Sequence, residues 1–133
     1  MNAKPRTVVL LEPMDTDRVA RDDAARLSDV GTVVVAVACP GGPVAEDSLQ
    51  SRHNAARAQA AVPHSVLRAF EGGASAVVVN CMRDPGVAEA RELTDLPVVA
   101  LAEAAMCFAG LLGRSFGVIV NEPRGIQVVE EQA

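Results

Sequence analysis

The chain has 133 residues, 50% of them hydrophobic and 22% charged, the composition of one globular domain rather than of a disordered tail. Twelve Lys and Arg against seventeen Asp and Glu give a net charge of −5, which leaves no electrostatic basis for binding nucleic acid or an anionic membrane surface. Three phenylalanines, with no Trp or Tyr, argue against an aromatic platform for stacking bases or sugars.

No apolar run approaches the roughly 18 residues that a membrane span needs, and Met1 to Arg6 is too short and polar for a signal peptide. Cys39, Cys81 and Cys107 are odd in number and lie inside or beside apolar runs, unlike a secreted disulfide framework. Reduced thiols and a cytoplasmic location are the expectation, with residues 1–133 forming a single domain.

In chain order, apolar β-branched runs alternate with alanine-rich, charge-decorated segments, the pattern of βα units around a parallel sheet. Strands are expected at Thr7 to Leu11, Thr32 to Ala38, Ala76 to Asn80, Val98 to Leu101 and Phe116 to Val120. The first helix opens near Asp15 or Asp17 and carries Ala20, Ala24 and Leu27 at helical spacing. The second runs from about Ser51 to Glu71 with Val66, Leu67 and Phe70 on one side, and Pro63 predicts a kink or a division into two. Asp84-Pro85 reads as a cap followed by a first-turn proline for a third helix ending near Thr94. The fourth spans roughly Ala102 to Leu112, with Ala105, Phe108 and Leu112 directed at the sheet and Gly113 as the stop. Beyond Pro123, Arg124 and Gly125, the run Ile126 to Glu131 has the character of one more helix. The expected fold is therefore α/β: a three-layer open parallel sheet of about five strands with helices on both faces.

In such sheets ligands bind beyond the carboxyl ends of the strands. The residues there are Glu12, Asp15 and Thr16 after the first strand, Cys39 after the second, Asn80, Cys81, Met82 and Arg83 after the third, and Glu103 after the fourth. Cys81 stands between an apolar strand and the start of a helix, where free N–H groups and the helix dipole would ease its ionisation below the usual value of about 8.5. The same groups would hold a carboxylate or enolate. Burial as a small apolar residue is the competing account of Cys81, and for Cys39, which precedes a Pro-Gly-Gly-Pro turn, it is the stronger one. Cys107 reads as core or half-buried. His53 and His64 have no cysteine or carboxylate cluster at ligand spacing, so they read as surface residues and no metal is expected. Gly41-Gly42 and Gly72-Gly73 are turns outside any nucleotide-binding pattern, so no cofactor is expected either. Glu103 in the first turn of its helix also suits the dipole.

Asn80-Cys81-Met82-Arg83-Asp84-Pro85-Gly86-Val87, then Ala90-Arg91-Glu92-Leu93, Leu96-Pro97-Val98-Val99 and Glu103-Ala104-Ala105-Met106, resembles the aspartate/glutamate racemase superfamily, its hydantoin racemase branch most closely. Gly42-Pro43 with Glu46-Asp47-Ser48 fits the family's Gly-Pro segment more loosely, and Phe116 to Val120 fits the strand closing the first lobe. The resemblance implies a cofactor-independent isomerase, racemase- or epimerase-like, with a small-molecule substrate. Its members usually have two similar α/β lobes with one cysteine from each at the site between them, and Cys81 would be the first-lobe acid/base. Two groups are needed because a proton leaves one face of a carbon acid and returns to the other.

Two departures from the family pattern stand out. The segment Glu122 to Ala133 matches the start of the second lobe, so the second-lobe cysteine has no counterpart here. Glu12-Pro13-Met14-Asp15-Thr16 replaces the family's Asn-Pro-Asn-Thr loop, keeping the proline and threonine; Glu12 and Asp15 would repel a substrate carboxylate, which points to an uncharged or larger substrate. A homodimer placing Cys81 opposite Cys81 would restore the two-sided site. The alternatives are a single-cysteine lyase or isomerase, a non-catalytic module, or half of a split enzyme with a separate second-lobe partner.

Overall fold

The computed structural model describes residues 5–29, 31–44, 49, 51–121 and 123–132. Glu46, Asp47 and Ser48, with their loose fit to the family's Gly-Pro segment, lie outside the described residues.

Four strands, β1 (Arg6–Glu12), β2 (Thr32–Ala38), β3 (Ala76–Val79) and β4 (Val98–Ala100), form a parallel sheet in the order β2-β1-β3-β4. Their valine-rich runs suit a pleated surface flanked by other elements. The helices are α1 (Arg18–Leu27), α2 (Arg52–Glu71), α3 (Val87–Leu93), α4 (Leu101–Leu112) and α5 (Pro123–Gln132). The chain is thus α/β with helices on both faces, as expected. No helix among the described residues is long and apolar enough to cross a membrane.

Strand registry divides the core in two. Val9 pairs with Val77 and Val77 with Val98, which puts these residues on one face with Leu11, Val79 and Ala100. There they pack against Val62 and Val66 of α2 and Val87 and Ala90 of α3. On the other face Leu10 packs with Ala20 and Ala24 of α1. The small alanines bring α1 close to the sheet. The cover is diagonal: Val33 and Val35 at the β2 edge and Val99 on β4 each remain 40% exposed.

Several expectations are corrected. Phe116 to Val120 forms no strand: β4 is only three residues long, and among the described residues nothing pairs with its outer side. Ile119 is 99% exposed. Helix α4 buries only Ala102, while Ala105, Phe108 and Leu112 are not packed into the core, because α4 follows β4 without a loop and runs off the sheet. Leu27 and Phe70 likewise face solvent rather than the core.

Pro63 neither divides nor ends α2, which runs through 20 residues from a Ser51 cap whose hydroxyl accepts from the Asn54 N–H at 3.1 Å. Proline has no N–H to donate to the Gln59 carbonyl four residues back. Gly86 lies against that carbonyl so closely that a Cβ there would come within 2.7 Å of it, and its φ of +68° lies in the left-handed region. The Gly86 N–H donates to the Gln59 side-chain Oε1 at 3.0 Å, so the loop before α3 packs directly on α2 beside the proline.

Candidate active site

The sheet order makes the gap between β1 and β3 its topological switch point, because the connection from β1 crosses to one side and the connection from β2 to the other. Glu12 ends β1, and Asn80-Cys81 follows β3. The Asn80 N–H donates to the Leu11 carbonyl at 2.8 Å, and its Nδ2 donates to Glu12 Oε2 at 3.3 Å. Glu12 is only 5% exposed, and burial raises its pKa although Asn80 opposes the shift.

Cys81 is half-buried and lines a cavity of about 380 Å³ together with Met82, Arg83, Val118, Ile119, Val120 and Asn121. Gly125, Val128 and Val129 of α5 complete the apolar wall opposite the thiol turn. The thiol is not activated in the way the sequence suggests. Helix α3 starts six positions later and has only seven residues, and the N–H that meets the sulfur is that of Arg83 in the turn rather than one of the helix. Burial pushes the Cys81 pKa up to about 11, with Glu12 and Asp84 adding to the rise. The Arg83 N–H, which donates to Sγ at 3.5 Å, and the Arg83 charge only partly offset it.

Asp84 does not cap α3 either. It has a φ of +44°, and Gly86 occupies the capping position of α3. Its carboxylate caps α4 instead: Oδ1 accepts from the Ala102 N–H at 2.9 Å and Oδ2 from the Glu103 N–H at 2.8 Å. Proximity in sequence suggested the wrong helix, and only the packing of β3 beside β4 brings the right one near.

The remaining candidates disperse. Cys39 is fully buried in the core, its Sγ 3.1 Å from Ser65 Oγ, and burial raises its pKa. It packs rather than facing the Cys81 cavity. Asp15 is exposed, and its N–H donates to the Pro43 carbonyl, while Thr16 Oγ1 accepts from the Arg18 N–H at the start of α1. These contacts join the loop after β1 to the Gly42-Pro43 turn, whose carbonyls at Gly41 and Gly42 accept from Arg57. Glu103 is held by Arg91 at 2.9 and 3.2 Å and lines a separate cavity of about 310 Å³ that also includes Arg83 and Asp84. His53, His64 and Cys107 are exposed, which for Cys107 differs from the expected burial. Val118 to Asn121 and α5 are the cavity residues that reading for chemistry missed, since an apolar wall carries no motif.

A sequence model described as Asp/Glu/hydantoin racemase matches residues 9–133. The hydantoin racemase of Pseudomonas sp. (strain NS671) is 34% identical over 100 residues, 75% of this chain and 39% of that protein. That of Paenarthrobacter aurescens is 33% identical over 110 residues, 82% of this chain and 45% of that protein. The fold is that of the allantoin racemase from Klebsiella pneumoniae, with a TM-score of 0.83 at 24% identity over 95% of this chain and 51% of that one. The chain spans less than half the length of these two curated relatives. With the match covering nearly every residue from β1 onward, the chain belongs to the Asp/Glu/hydantoin racemase family.

Proposed function

We propose that the chain supplies one proton-transfer face of a cofactor-independent racemase or epimerase, with Cys81 as its acid/base. The observation that carries this reading is Cys81 at the switch point, opening onto the cavity of about 380 Å³. With a pKa near 11 the resting group is the neutral thiol, a proton donor. One C–H bond of the substrate breaks on the far face, its proton passing to an opposing base and its electron pair remaining on carbon. The Cys81 S–H then protonates the near face, which inverts the carbon and leaves a thiolate that regains a proton in the reverse step.

The opposing base comes from a second α/β unit, which we take to be another copy of this chain bringing its own Cys81 as the thiolate, the two sulfurs holding one proton between them so that one accepts while the other donates. Supporting this is the uncovered apolar surface of α4 and the segment after it, where Phe108 is 68%, Leu111 82%, Leu112 88% and Ile119 99% exposed. The substrate is an uncharged carbon acid of the hydantoin or allantoin kind, the compounds for which the relatives are named. Glu12 at the strand ends disfavours a substrate carboxylate whenever it is ionised.

The test is solvent deuterium uptake at the stereogenic carbon of a hydantoin or allantoin, followed by NMR. The wild-type chain exchanges the hydrogen, and Cys81→Ala lowers the rate by about 10²- to 10⁴-fold. Retained exchange in Cys81→Ala removes the thiol mechanism. A monomeric wild-type chain that exchanges nothing favours half of a split enzyme or a binding module.

A further inference from the structure

The turn that carries Cys81 is tied to a helix distant in sequence. The Asp84 N–H donates to the Cys81 carbonyl at 3.0 Å, closing the turn. Asp84 itself sits at φ +44°, an uncommon conformation outside glycine. Both oxygens of its carboxylate leave the turn to accept the N–H groups of Ala102 and Glu103 at 2.9 and 2.8 Å. The far side of that contact is itself anchored: α4 continues directly from β4, and Arg91 of α3 grips Glu103 and the Val98 carbonyl together. One residue thus shares a backbone hydrogen bond with the cysteine and two side-chain hydrogen bonds with the helix.

We propose that Asp84 is a positioning residue for Cys81: by gripping the first turn of α4, its carboxylate holds the β3–α3 turn in the conformation that keeps the thiol half-buried at the mouth of its cavity. The inference rests on Cys81 being the proton-transfer group, as argued above, but concerns how that group is held rather than what it acts on. The same carboxylate adds a negative charge near the sulfur, alongside Glu12 from β1 and against Arg83 of the turn. Position and charge therefore need separate variants.

The experiment follows alkylation of Cys81 by iodoacetamide from neutral to alkaline pH, read by peptide mass spectrometry. A Cys107→Ser background is used, since Cys107 is exposed and Cys39 is fully buried. Asp84→Gly keeps the left-handed backbone accessible but removes the grip, whereas Asp84→Asn removes the charge and keeps one acceptor. With the grip lost, the thiol loses its burial and its midpoint falls toward the ordinary thiol range. Its neutral-pH alkylation rises at least about tenfold in Asp84→Gly, one pKa unit of thiolate, and less than about threefold in Asp84→Asn.

Equal profiles for the two variants reduce Asp84 to a charge effect and overturn the proposal. So do profiles that match the parent while the melting temperature falls, the signature of a plain helix cap. Should Asp84→Gly fail to fold, Asp84→Glu decides, because it keeps the charge but displaces the grip: a lowered Cys81 midpoint sustains the proposal and an unchanged one overturns it. No substrate enters this measurement, so the role of Asp84 is tested even in a chain that takes up no deuterium.

Discussion

Cys81 and Glu12 show how far a strand-end residue departs from its expected chemistry once its neighbours are in place. The raised Cys81 pKa means that the folded chain holds a proton which the unfolded chain releases first as pH rises. Stability from this group is complete below the ordinary thiol range and is lost as pH climbs toward about 11. Urea unfolding across that window is expected to show a steeper alkaline loss in the wild type than in Cys81→Ala. Glu12 behaves alike at lower pH: its neutral form suits the buried site, so stability from it is present below its ordinary 4.5 and declines as pH rises through the higher folded value. Glu12→Gln removes that decline. Its melting temperature is expected to exceed the wild type's at neutral pH, with the gap closing in acid.

Contacts between elements determine where the site's loops lie. Gly86 is a tight one: any side chain there meets the Gln59 carbonyl and the ring of Pro63, and the left-handed backbone adds strain. Gly86→Ala is expected to destabilise the fold by about 2–4 kcal/mol in chemical denaturation, the sum of a forced left-handed residue and an overpacked contact. Ser51→Ala, which removes the α2 cap, is expected to cost at least about 1 kcal/mol. The Arg91–Glu103 pair is about half exposed, so its own stabilisation is about 1 kcal/mol at most, and its importance lies in orienting α3 and α4. Much of this was legible beforehand. Strands β1 to β4, α1 and the Ser51 start of α2 follow from apolar runs, alanine spacing and, for α2, a polar cap. The partner of Asp84 does not, because a cap acting across 18 positions leaves no local pattern.

Across the whole molecule, the uncovered surface is the feature that composition least foretold. A helix as apolar as α4, with Glu103 its one charged residue, signals burial by its sequence, yet Phe108, Leu111 and Leu112 face solvent. If a second copy covers them, sedimentation of the wild type gives a dimer, and Leu111→Glu shifts it to monomer. The melting temperature of that variant's monomer is expected to change little, since Leu111 is 82% exposed within one chain. Loss of deuterium uptake together with the dimer would link the surface to the site.

By itself the sequence determined the class of fold and put Cys81 at the end of an apolar strand. Period-two and period-3.6 patterns, caps and strand ends are local properties that residues carry with them. The tertiary structure decided what locality cannot carry: that Cys39 is core, that Asp84 serves α4 rather than α3, and that Phe116 to Val120 stays out of the sheet. It also decided that the Cys81 thiol is neutral rather than activated. Ionisation answers to the sum of burial and charges brought together from β1, β3 and the turn, and that sum exists only once the chain has folded.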